Sequence, residues 1–245
     1  MCEFKSGIIL KNRVHIADID SHSDMLEQLG IKDDFFGATE KFVRAELIPT
    51  NNEWWTDPDG WRVNVDQDVL PEWFETDKEK YLADFKSSVR AWWLEHVLID
   101  QKIEELTTGY YLLKRCEVKR LLNDVKVWCD SSSVQRMYDS SSVQRMYGSS
   151  SVQRMYGSSS VQRMRDSSSV QEMCGSSSVQ RMYGGSSVQK MYDSSSVQRM
   201  YGSSSVQRMY GSSSVQEMYD SSSVQRMYGS SIARNYSKGK IFISP

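Results

Sequence analysis

The densest grouping of chemistry-bearing side chains is ADIDSHSD, which places Asp18, Asp20, His22 and Asp24 within seven residues. An imidazole among carboxylates has the means to bind a divalent cation or to act as a general base, because it titrates near neutrality. The spacing matches no specific metal motif, so no metal is assigned. The same polar run ahead of a helix also reads as a loop ending in an N-cap.

A second grouping holds Asp57, Asp59, Asp66 and Asp68 beside Trp54, Trp55 and Trp61. Asp66 and Asp68, two apart on a strand, would project from one face as paired carboxylates; a solvated acidic rim is the other reading. Partly exposed tryptophans make good interface anchors. His15 falls in an apolar strand, and His96 near the end of a long helix, where a cation suits the dipole. The chain has no glycine-rich phosphate loop, no Cys/His zinc set and no nucleophile elbow, and no cofactor is predicted.

The third grouping is periodic. Arg136, Arg145, Arg154 and Arg163 recur at a period of nine, and Arg181, Arg199, Arg208 and Arg226 continue the same phase, each beside a tyrosine position. Such a row resembles a basic, aromatic platform for nucleic acid. Glu172 and Glu217 interrupt it, and stacked like charges repel, so an occasional glutamate serves stability alone.

These arginines belong to a unit written [D/G]-S-S-S-V-Q-R-M-Y, present in eleven near-identical copies over residues 130–228. Val recurs from Val134 to Val224 and Gln from Gln135 to Gln225 without exception, with a Met following in every unit. The Arg position admits Lys190 and the two glutamates; the Tyr position admits Arg165 and Cys174. This pattern predicts a structurally constrained Val, Gln and Met and exposed Arg and Tyr. A period of nine does not stack one apolar face of a helix, and Ser-rich, Gly-punctuated units are poor helix formers. Stacked strands and turns remain, with coils about 4.8 Å apart burying Val and Met in one continuous core. Serines fill the corners, Asp or Gly takes the turn, and glutamines bond in ladders between coils. Two units per turn give an 18-residue coil and three give 27. Asp139, Asp166, Asp193 and Asp220 recur at every third unit, as duplication in blocks of three would also leave them, and the 18-residue coil is favoured. The leader CEVKRLLNDVKVWCD aligns Val125 one period before Val134 and puts Trp128 near the Met position, as an N-terminal cap. KIFISP supplies a short β segment at the other end.

The front half reads as α+β. GIIL-KN-RVHIA forms two strands around Lys11-Asn12, a short helix runs from about Ser23 to Gly30, and FVRAELIP and WRVNVDQDV alternate as strands. The longest helix starts at Asp77 and runs to about Leu98, with Tyr81, Phe85, Val89, Trp92, Trp93 and Val97 on its apolar stripe. The predicted organisation is an acidic α+β domain over 1–109, a cap over 110–129, the all-β nonapeptide-repeat solenoid over 130–228, and a C-terminal cap over 229–245.

The net charge of −2 hides a split: residues 1–129 carry 25 acidic and 17 basic side chains, and residues 130–245 carry 7 and 13. No apolar run approaches the roughly 18–20 residues that span a bilayer, so no membrane partner is expected. The N-terminus is too short and polar for a signal peptide, and a cytoplasmic location follows as the expectation. Cys2, Cys116, Cys129 and Cys174 have no metal-ligand spacing and are expected as free thiols.

The segments SHSDMLEQLGI, KFVRAELIP, VNVDQDVLPEWF and the CEVKRLLNDVKVWCD leader, followed by SSSVQRMY units, resemble uncharacterised repeat proteins of gut bacteria and their phages or prophages. The resemblance implies a mobile-element protein in a bacterial cytoplasm that binds a host factor or counters a defence system. The array is also loosely similar to pentapeptide-repeat solenoids, some of which mimic DNA; its period of nine and basic charge argue against mimicry by the array. The expected function is non-enzymatic: a protein-binding scaffold with the solenoid as platform or homo-oligomerisation element. The alternatives are an enzyme or metal-binding protein using the Asp18–Asp24 cluster, and nucleic-acid binding along the Arg/Tyr face.

Overall fold

The computed structural model describes residues 5–237 and 240–243. Cys2 and the terminal Pro245 lie outside them. The chain forms two compact units, 1–96 and 97–245.

The first unit is built on an antiparallel sheet of β1 (Lys5–Leu10), β2 (Arg13–His15), β3 (Phe42–Ile48) and β4 (Arg62–Val65), ordered β2-β1-β3-β4. Lys11 and Asn12 form the expected hairpin turn. Period-two alternation sends Ile9, Val43, Ala45 and Leu47 to one face, where they pack with Phe85 and Val89 of the long helix. Ile8 and Phe42 pack on the short helix through Met25 and Leu26. In chain order the helices are α1 (His22–Gln28), α2 (Phe35–Glu40), α3 (Glu72–Thr76) and α4 (Lys78–His96). The Ser21 side chain accepts from the Asp24 amide and caps α1. Of the predicted α4 stripe, Tyr81, Phe85, Val89 and Trp92 are buried on the helix, Trp93 is half-buried, and Val97 already belongs to a strand of the second unit.

The second unit is a parallel β-solenoid of about eight turns. It begins before the repeats, with β5 (Val97–Ile99), β6 (Lys102–Leu106), β7 (Tyr110–Lys114), β8 (Glu117–Leu121) and β9 (Lys126–Asp130). Residues 97–129, which the sequence divides between the acidic domain and a cap, are therefore solenoid strands. Their coils are shorter than those of the array: Lys102 pairs with Glu117 and Glu117 with Ser133, whereas Ser133 pairs with the more distant Ser151. A search for nines cannot see them. The register also reassigns the leader, since Val127 pairs with Val143, Trp128 with Arg145 and Cys129 with Met146. Trp128 thus stands at the Arg position, and Val127, not Val125, at the Val position.

Each repeat contributes one strand, from β10 (Ser133–Met137) and β11 (Ser142–Tyr147) to β20 (Ser223–Met227), and successive strands go to opposite sheets. One coil is two repeats, the shorter of the two expected lengths, with Val over Val and Met over Met in every pair. The valines and methionines of the array through Met218 are buried in one continuous core. Turns fall at the Asp or Gly position, which is left-handed at φ 56 in Asp139 and φ 60 in Gly148, as those two residue types tolerate.

Two side-chain assignments change. Gln faces outward and Val and Met inward, so each strand breaks alternation between Gln and Arg, and the glutamines form no internal ladder. The tyrosines are stacked coil on coil, Tyr183–Tyr201–Tyr219 on one side and Tyr192–Tyr210–Tyr228 on the other, with ring centroids 5.1 Å apart, and are half-buried except Tyr228 at the end, which is exposed. Constancy along the array marks both packing and presentation, and it does not separate them.

After the repeats, β21 (Ile232–Asn235) continues the ten-stranded sheet, and β22 (Lys240–Ile243) pairs with it antiparallel, ending that sheet as a cap.

Candidate functional site

The structure disperses the Asp18–Asp24 cluster, because the segment bends at Asp18 and turns into α1 at His22. Asp18 accepts from Trp92 Nε1 at 3.0 Å and lies 3.3 Å from His96 Nε2. Asp20 pairs at 2.9 Å with Lys5, a buried ammonium that also donates to the Ala17 carbonyl and sits over the Trp92 ring. Asp24 lies in the first turn of α1, where a carboxylate favours the helix N-terminus. His22 alone turns inward, 6% exposed.

The second grouping divides as well. Asp57 and Asp59 both pair with Arg90, whose hydrogen bond holds the Asp57 carboxyl below its usual range. β4 ends at Val65, and Asp66 just after it donates its amide to the Arg44 carbonyl. Asp68 lies beyond in a bend, off the strand, and both residues line one open pocket with Arg44 and Gln67. Trp61 is buried at 2% exposure, its Nε1 donating to Thr56, and belongs to the core instead of an interface. Trp54 and Trp55 are half-buried and meet edge to face; Trp54 packs on the core and its carbonyl accepts from Trp93.

What the fold brings together is one member of each grouping plus a residue that neither contains. His22 from α1, Glu46 from β3 and Asp66 from the end of β4 place a ligand-type atom each within 4.8 Å of one another. His22 Nδ1 is 3.6 Å from Asp66 Oδ2. His22 Nε2 lies 3.2 Å from the Ala45 carbonyl, which can only accept, so Nε2 carries a proton and Nδ1 faces the carboxylates. Glu46 is 6% exposed, and among the described residues its carboxylate accepts one long 3.5 Å bond, from Asn64. Register aligns Ser6, Glu46 and Asn64 across three strands on this one face. Glu46 left a faint signal: a carboxylate inside the apolar strand FVRAELI.

The arginine rows become columns. On the eight-stranded sheet, Arg136, Arg154, Glu172, Lys190, Arg208 and Arg226 follow one another a coil apart. Glu172 bonds Lys190 above and Arg154 below, at 3.0 Å each, and its carboxyl is held below the usual range, chiefly by Lys190. On the ten-stranded sheet, Arg145, Arg163, Arg181 and Arg199 run uninterrupted until Glu217, which pairs with Arg199 at 2.7 Å. Arg145 also stacks on Trp128, 3.9 Å from its ring centroid, where array and leader coils meet. Cys174 replaces one tyrosine of its column, and burial pushes its thiol up; Cys116, Cys129 and Cys174 are all free.

No helix among the described residues is long and apolar enough to cross a membrane. No family model, curated protein or solved structure matches the chain.

Proposed function

We propose that the protein is a non-enzymatic binding protein whose solenoid is a rigid platform for an acidic protein surface. The column Arg145-Arg163-Arg181-Arg199 carries this reading. Four guanidinium groups at strand spacing repel one another in the free protein, and an anionic surface laid along them relieves that repulsion. Beside them runs the invariant Gln column, half-buried at Gln144 and Gln162 and exposed at Gln180 and Gln198, where packing does not require its constancy. Repetition makes the contact multivalent, so modest affinity per coil accumulates.

A second copy of the chain offers the complementary charge. Residues 1–96 carry 20 acidic and 11 basic side chains, net −9; residues 97–245 carry 12 and 19, net +7. Homo-oligomerisation through these opposite surfaces is the partner reading adopted. The resemblance of the front-half segments to repeat proteins of gut bacteria and phages supports a bacterial cytoplasmic setting, with a host factor or defence component as a further acidic partner. The same column together with its stacked tyrosines would suit a nucleic-acid strand, which the experiment separates.

Light scattering on nuclease-treated protein at about 0.1 M and about 1 M salt, between which the Debye length falls from about 10 to about 3 Å, tests the reading. Oligomers at low salt that dissociate at high salt, and that are lost in the double variant Arg163→Glu, Arg181→Glu, are expected. A salt-insensitive monomer would overturn self-association, and binding only of added oligonucleotide would replace the protein partner with nucleic acid.

A further inference from the structure

We propose that His22, Glu46 and Asp66 form a binding site for one divalent transition-metal ion, with Zn2+ the best fit to a donor set of one imidazole nitrogen and two carboxylates. A cluster of this kind does not stand on proximity alone; four further observations point to a cation.

His22 is aimed. The Ala45 carbonyl fixes the proton on Nε2, which leaves Nδ1 as the nitrogen that meets Asp66, with Glu46 in the same 4.8 Å grouping. A backbone carbonyl holding the distal nitrogen is the usual outer-sphere support of a metal-bound histidine. In the neutral ring a lone pair on Nδ1 faces carboxylate lone pairs, an arrangement that calls for a positive centre between them.

Glu46 is buried without a counter-cation. Among the described residues no lysine or arginine pairs with it, and Arg44, two residues away on the same face, is taken by Asp33. A carboxylate removed from water needs compensation by charge or by strong hydrogen bonds, and one 3.5 Å bond from an amide supplies little.

Ser6 is fully buried directly across the β1–β3 pair from Glu46, and among the described residues its hydroxyl has no hydrogen-bond partner. Unlike the orphaned corner serines of the solenoid, this one pairs across the sheet with a buried carboxylate, and an ion with its water shell would satisfy it.

The geometry also suits the ion. Bonds of about 2.0–2.2 Å put tetrahedral ligand atoms about 3.3–3.6 Å apart; His22 Nδ1 and Asp66 Oδ2 stand at 3.6 Å, and the set of three, within 4.8 Å, has to draw in around the ion. Asp66 is exposed and free to turn, so it closes the set and leaves a position open to water. The three ligands come from separate elements tied into one sheet-and-helix layer, which gives a preformed site. Asn64, donating to Glu46, is a positioning residue.

The test is titration of EDTA-stripped full-length protein with Zn2+, and separately with Mn2+ and Mg2+, by calorimetry. One Zn2+ per chain is expected. Asp66→Asn and Glu46→Gln should lose that binding, and Asn64→Ala should weaken it roughly tenfold, as outer-sphere changes do. Because Asp66 is exposed, Asp66→Asn keeps the fold even if Glu46→Gln does not. Co2+ substitution should give low-coordination d–d absorption without thiolate-to-metal charge transfer, which distinguishes the site from the cysteines. No saturable binding, binding unchanged in Asp66→Asn, or a thiolate charge-transfer band would each overturn the proposal.

Discussion

The carboxylate of Asp166 accepts a hydrogen bond from the backbone amide of Gly148, one coil earlier, at 3.0 Å. Asp193 does the same to Gly175 and Asp220 to Gly202, each at 2.9 Å. These bonds tie the turn of one coil to the next, and they give the three-repeat spacing of the aspartates a physical meaning. Because a coil is two repeats and three is odd, successive aspartates fall on alternate turn columns. Within one column they return only every third coil, so no two carboxylates stack.

Replacing Asp166 separates the bond from the backbone conformation. Asp166→Gly removes one hydrogen bond and should cost about 0.5–1.5 kcal/mol. Asp166→Val also forces a β-branched side chain into φ 58, adding about 1–2 kcal/mol. Chemical unfolding followed by far-UV circular dichroism measures both, and equal losses would refute the turn account.

Deletions should respect the coil and the column. Removing residues 157–174, one whole coil, leaves every remaining Asp-to-Gly pairing in place, and a folded, slightly less stable protein is expected. Removing residues 157–165 brings Asp166 directly over Asp139. Adjacent carboxylates should then cost roughly 0.5–1 kcal/mol beyond the longer deletion. Thermal melts of the two variants decide; a shorter deletion that melts no lower than the longer one would count against the column rule.

Serine at the corner is present for size. Ser177 is buried and its hydroxyl has no partner among the described residues, so Ser177→Ala should leave stability unchanged or raise it. Ser150 donates to the Tyr147 carbonyl at 2.7 Å, and Ser150→Ala should cost about 0.5–1.5 kcal/mol. In the same array, Met182→Ala should cost about 2–5 kcal/mol through the cavity it leaves, whereas the outward Gln180→Ala should stay within about 0.5 kcal/mol. Denaturation midpoints rank the four.

The glutamates in the arginine columns set an acid limit. Glu172 and Glu217 are held below 4.5 by their hydrogen bonds to Lys190 and Arg199. A depressed carboxylate stabilises the fold above its unfolded value and loses that contribution as pH falls through the folded one. Wild-type protein should therefore exceed Glu172→Gln in melting temperature near pH 6, and the gap should narrow progressively as pH falls below the ordinary carboxylate range. A gap that persists in acid would assign the effect to packing.

By itself the sequence determined the solenoid. Eleven copies of one short unit leave few ways to bury Val134 to Val224 and their methionines, and the left-handed tolerance of Asp and Gly marks the turns. It also showed the hairpin, the capped helix and the long amphipathic helix, since each is written in local periodicity. The coil length was decided by register between residues two repeats apart, which no single repeat encodes. So was the start of the solenoid at Val97, where shorter, non-repetitive coils bury other apolar side chains in the same core. The candidate metal site was beyond local reading for the same reason. His22, Glu46 and Asp66 belong to three elements, and only the pairing of β1 with β3 and β3 with β4 beneath α1 brings their charges to one place. Short-range pattern fixes which face of an element is apolar; long-range register decides which polar groups must share a buried face.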